Sequence, residues 1–143
     1  MKSTLGAFLL MVGAAHAQSP QMQGQLMSLA QGMAPGQAPA SAVFGGFSSE
    51  NVENPFMLPL ELGRCYTFIG TVGGGVQQLA LYLFDPLGKT VAKDTADRTI
   101  TPHLTWCATI PGIYKVIAKI KKDQAGAYAV QAFAPMAAPP PQQ

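Results

Sequence analysis

Hydrophobic and polar positions alternate most cleanly from Ile113 to Lys121. Tyr114, Val116, Ala118 and Ile120 fall on one side, Lys115, Ile117, Lys119 and Lys121 on the other. A period of two is that of an extended strand, so the first set is expected to face a core and the lysines water. Cys65 to Val72 repeats the pattern, with Tyr66, Phe68 and Val72 opposed to Cys65, Thr67, Ile69 and Thr71. From Leu104 to Ile110, Leu104, Trp106, Ala108 and Ile110 alternate with Thr105, Cys107 and Thr109. Both cysteines therefore lie on threonine-bearing faces, and Trp106 is expected in the core. In Gln77 to Phe84, Leu79, Leu81 and Leu83 oppose Ala80, Tyr82 and Phe84. Apolar residues on both sides predict a central strand whose second face is covered.

Turn residues punctuate these runs. Asp85-Pro86-Leu87-Gly88 places Asp, Pro and Gly where a type I turn uses them, and Pro111-Gly112 and Gln124-Ala125-Gly126 mark further reversals. Gly73-Gly74-Gly75 reads as a hairpin tip, since no Lys-Ser/Thr pair follows to make it a phosphate cradle. Residues 43–134 thus predict one all-β domain, an antiparallel β-sandwich.

The flanks are different. Residues 1–17 combine Lys2, the apolar run Leu5 to Ala15 and Ala15-His16-Ala17, the plan of a cleaved secretory signal peptide. The apolar run is shorter than the roughly 20 residues of a membrane span, and no later run reaches that length. Residues 18–42 carry no charge and are rich in Gln, Met, Ala, Gly and Pro. Met22, Leu26, Leu29 and Met33 make a helical stripe, but Gly24 and Gly32 each cost about 1 kcal/mol inside a helix. The expectation is a flexible, disordered linker, with a partner-binding Met-faced helix as the alternative. Residues 135–143, ending Pro139-Pro140-Pro141-Gln142-Gln143, predict a Pro-rich tail.

Composition narrows the function. Apolar residues are 48% and charged residues 11% of the 143, which opposes disorder throughout. With Lys2 removed with the signal, eight basic residues face seven acidic ones, so the whole molecule is no general magnet for nucleic acid. The two cysteines, Cys65 and Cys107, can only pair with each other, and an exported chain meets an oxidising compartment. Closing that loop is worth about 4 kcal/mol in the chain-entropy account. The shared threonine face predicts a bridge between adjacent strands, because facing sheets lie too far apart.

An ordered string of motifs supports a more specific reading. Leu62-Gly63-Arg64-Cys65-Tyr66-Thr67-Phe68, Asp85-Pro86-Leu87-Gly88-Lys89, Val91-Ala92-Lys93-Asp94, Pro111-Gly112-Ile113-Tyr114-Lys115-Val116 and Ala127-Tyr128-Ala129-Val130 occur in that order. Together they resemble the bacterial pre-peptidase C-terminal (PPC) domain over Phe56 to Phe133. The resemblance implies a jelly-roll-like sandwich and a non-catalytic module for secretion, stability or binding of polysaccharide or protein surfaces. Collagen-binding relatives hold calcium just before the sandwich; here Glu50, Asn51, Glu53 and Asn54 stand in a comparable place, with Asp94 and Asp97 as further oxygen donors. No other cofactor is implied.

Catalytic alternatives have thin support. The serines after the signal all lie at or before the start of the domain, and His103 is the only histidine there, reading as an exposed strand start. Asp85, Asp94, Asp97 and Asp123 supply carboxylates for a small hydrolase, yet each stands in a turn-like context. Lys115, Lys119, Lys121 and Lys122 form the one marked charge cluster. They read either as a polyanion-binding strand or as lysines guarding a sheet edge. The sequence thus favours an exported, periplasmic or secreted, non-catalytic binding module, with an Asp-dependent hydrolase and a polyanion-binding domain as alternatives.

Overall fold

A computed structural model describes residues 20–122 and 124–136. The expected signal peptide, Asp123 and most of the Pro-rich tail lie outside the described residues. Helix α1 (Pro20–Met33) leads into β1 (Gln37–Pro39), β2 (Phe44–Ser49), β3 (Asn54–Leu60), β4 (Cys65–Val72) and β5 (Leu79–Phe84). Then follow β6 (Thr90–Asp94), β7 (His103–Cys107), β8 (Gly112–Ile120) and β9 (Ala125–Pro135). The first sheet runs β2-β9-β4-β7, with β1 continuing along the same edge of β9; the second runs β3-β8-β5-β6. Every strand pair is antiparallel. This is the strand order of a jelly roll, eight strands exchanging between two facing sheets.

The core follows from the alternation. Tyr66 and Phe68 of β4, Leu79, Leu81 and Leu83 of β5, and Tyr114, Val116, Ala118 and Ile120 of β8 all enter one buried cluster. Leu104 and Ala108 join it, and Trp106 packs against it half-buried. Tyr128, Val130, Ala132 and Ala134 complete the cluster from β9. Close approach of two backbones fixes one glycine: a Cβ on Gly45 would collide with the Tyr128 carbonyl and lie 2.8 Å from Ala129 Cα.

The cysteines are direct cross-strand partners. Cys65 pairs with Cys107 in the β4–β7 register, and the two are joined as a disulfide with Cα atoms 3.8 Å apart. Thr67 and Thr105 follow on the same face.

Two expectations are corrected. The stretch assigned to a flexible linker forms α1, and its stripe docks on the outer face of the first sheet. Met22, Leu26 and Ala30 bury against Ile69, Ala129 and Phe133. Burying Met22 and Leu26 supplies about 3–6 kcal/mol, against about 2 kcal/mol for the two glycines, so docking wins where an isolated helix fails. The partner that the Met face needs is the chain's own sheet. Pro35 and Gly36, with φ +76° at Gly36, end the helix. The second correction concerns β8, which lies between β3 and β5. Its lysines guard no edge; the edge strand β3 carries Pro55 and Pro59 instead.

Leu26→Ala is expected to destabilise the protein by about 2–5 kcal/mol in urea unfolding, whereas a free linker would show no change. Replacing Cys65 and Cys107 together with Ala should cost about 4 kcal/mol by the same measurement.

Candidate functional site

The two outer faces of the sandwich are finished differently. Helix α1 covers the first sheet, while no element covers the second among the described residues. Side chains pointing outward from that second sheet come from alternate positions of its strands. Met57 lies opposite Lys115, which lies opposite Phe84; Ile117 lies opposite Tyr82, which lies opposite Lys93. The predicted cover over Ala80, Tyr82 and Phe84 is therefore not a helix or strand. Lysine stems supply it: the Lys115 ammonium sits 5.0 Å from the Phe84 ring centroid and that of Lys119 sits 5.3 Å from the Tyr82 centroid. Long cationic side chains can bury their methylenes on apolar surface and keep the charged end in water, and the ring quadrupole attracts that end.

Acidic neighbours are few on this face. Glu53 reaches Lys119 at 3.6 Å. Lys122, in the bend after β8, instead pairs with Asp97, whose carboxyl is held below the ordinary carboxylate range by that hydrogen bond. The Lys122–Asp97 tie is thus present at neutral pH and weakens as acid protonates Asp97. Of the four predicted lysines, Lys115 and Lys119 are brought together over the rings and Lys122 is drawn away.

The proposed calcium donors are not gathered. No three His, Cys, Asp or Glu side chains cluster around a common point among the described residues. Glu50 lies in an isolated bridge to Ile120, and the Asn51 backbone N–H donates to the Ile120 carbonyl at 2.8 Å. Asn54 donates to Ser48 Oγ at 3.0 Å and to the Val52 and Ala118 carbonyls, a staple between strands rather than an open ligand. Glu53 and Asp97 are in the ion pairs above, and Asp94 is engaged by the backbone.

Of the hydrolase set, Asp85 and Asp94 each close backbone and Asp97 is held by Lys122. Asp85 Oδ1 accepts from the Leu87 and Lys89 N–H groups at 3.0 and 2.9 Å, closing the β5–β6 turn. Asp94 accepts from the Ala96 and His103 N–H groups at 3.2 and 3.0 Å. Asp94 pairs across from Leu81, at the far end of the same hairpin. Four residues of chain put their backbones about 13 Å apart, wider than the roughly 5–9.5 Å that separates the carboxyl groups of a glycosidase pair. His103 is exposed and opens β7. A cleft of about 640 Å³ between α1 and β4 is lined by uncharged residues such as Gln21, Gln25, Ser28, Leu29 and Thr71. Among the described residues that line it there is no acid or base.

The aromatic–lysine pairing was the feature missed from sequence. Its signal was present: Tyr82 and Phe84 at alternate positions, and Lys115 and Lys119 at alternate positions of a second strand. Only the register brings them face to face.

No family model and no curated protein matches this chain. Among solved structures it is similar to the Aeromonas hydrophila protein PliG, a periplasmic lysozyme inhibitor of g-type lysozyme, at 14% identity and TM-score 0.46, over 66% of this chain and 88% of that one. It is also similar to infectious bursal disease virus chains, the Gt strain structure at 12% identity and the VP2 subviral particle at 13%, both with TM-score 0.34. Each viral likeness covers 68% of this chain, and this chain spans only 31% and 30% of the viral ones.

A double-mutant cycle of Phe84→Ala and Lys115→Met in urea unfolding should give a coupling of about 0.5–1 kcal/mol. Zero coupling would reduce Lys115 to a solvated side chain.

Proposed function

We propose that this protein is an exported, non-enzymatic binding module that holds an acidic polysaccharide on the outer face of its second sheet. The observation that carries the reading is the pair of ammonium groups, Lys115 and Lys119, held over Phe84 and Tyr82. A lysine already ordered by its ring loses less freedom when an anion arrives, which favours binding. Lysine presents a point charge without the fork that matches one carboxylate in one geometry, which suits a repeating polyanion. Lys93, opposite Tyr82, extends the positive strip toward β6.

Export is supported by the three-part plan of residues 1–17 and by the disulfide, which fits an oxidising compartment. No described helix is long and apolar enough to cross a membrane. The non-enzymatic reading is supported by the backbone hydrogen bonds that occupy Asp85 and Asp94. Kinship with PPC domains is proposed on the ordered motif string.

Retention on immobilised heparin or polygalacturonate tests the reading. The wild-type protein is expected to be retained at moderate salt, and Lys115→Gln with Lys119→Gln to weaken binding about tenfold, with a shallower salt dependence. Unchanged retention in that variant would overturn it. Turnover on a glycoside and ester panel, abolished by Asp94→Ala, would replace it with the hydrolase.

A further inference from the structure

Two tight turns at one end of the sandwich each display a leucine that neither the turn nor the core requires. In Glu61–Arg64 the Arg64 N–H donates to the Glu61 carbonyl at 3.1 Å, and Gly63 supplies the positive φ, +81°. Leu62 has no part in that closure and is 63% exposed. In Asp85–Gly88 the Gly88 N–H donates to the Asp85 carbonyl at 2.9 Å while the Asp85 side chain caps the turn. Leu87 is 84% exposed. Turn positions of this kind are ordinarily filled by Asp, Asn, Ser or Gly.

Both turns belong to one surface. Leu60 at the end of β3 pairs with Gly112, and a Cβ on Gly112 would lie 3.0 Å from Pro86. The Gly63 N–H donates to the Ala108 carbonyl at 2.8 Å, and Arg64 reaches the Pro135 carbonyl at 3.0 Å. Met136, also exposed, lines the same groove as Leu62. The charges at this end are unequal. Glu61 pairs with Arg64 at 2.9 Å, and Asp85 keeps its charge while accepting backbone N–H groups, so Lys89 and Lys115 outweigh it and leave this end net positive. Among the described residues no carboxylate pairs with Lys89 or Lys115.

We propose that this end of the sandwich docks on an anionic phospholipid surface, with Leu62 and Leu87 entering the headgroup boundary and Lys89 and Lys115 meeting the lipid phosphates. Leu62 and Leu87, carried on separate turns, do not form the continuous, complementary patch of a stable protein contact. A bilayer interface admits them to a depth of about 5–10 Å without shape matching, and its negative charge complements the lysines. The inference shares Lys115 with the polysaccharide face and is distinguished from it by the two leucines, which that face does not use.

Co-sedimentation of the purified protein with vesicles tests it. The protein is expected to pellet with phosphatidylglycerol/phosphatidylethanolamine vesicles and to bind phosphatidylcholine vesicles at least tenfold more weakly. The double variant Leu62→Ser, Leu87→Ser should lose vesicle binding at least tenfold while keeping the wild-type melting temperature and heparin retention. Absence of vesicle binding, or binding unaffected by the double variant, would overturn the proposal. A concentration-dependent dimer that dissolves in the double variant would do so as well, assigning the leucines to a second copy.

Discussion

Strand β9 is apolar on both faces, and the architecture is organised around that constraint. Tyr128, Val130, Ala132 and Ala134 look into the sandwich, while Ala129 and Phe133 look out. Both of its edges are paired, to β4 on one side and to β1 and β2 on the other. A strand of this kind needs two covers, and a sandwich supplies only one. Helix α1 is the second. Its docking removes Phe133 and Ile69 from water and converts a segment of weak intrinsic helicity into an ordered layer.

How much of this was legible in the sequence depends on where the deciding contact lay. The alternation in β4, β5, β7 and β8 is local, and it placed Tyr66, Phe68, Leu81, Leu104 and Val116 in the core. The shared threonine face of the two cysteines led to their adjacent strands for the same reason. Helix α1 was harder, because Gly24 and Gly32 argue locally against it and the offsetting burial is on distant residues, Ile69 in β4 and Ala129 and Phe133 in β9. Ile69 among Cys65, Thr67 and Thr71, and the apolar outer face of β9 around Phe133, were the available hint that something lies over them. The rank of β8 within its sheet could not be read from lysines alone, since alternation looks the same on a central and an edge strand.

The candidate site shows the same division. The lysine cluster was visible as residues, and so was the apolar second face of β5, but they were read as separate facts. The β5–β8 register makes them one surface, each ammonium placed over a ring. Asp85 and Asp94, by contrast, behaved as their turn context suggested, closing backbone rather than facing each other.

The placement of α1 also bears on the order in which the molecule can be assembled. The helix comes before every described strand, yet it rests on Phe133 in the final one. Its seat does not exist until the whole intervening chain has been delivered and β9 has joined β4. Contacts so distant in sequence slow folding. A chain threaded outward from its amino terminus would therefore hold Met22 and Leu26 in the open throughout transit, leaving that stripe available to escort proteins until the last strand closes.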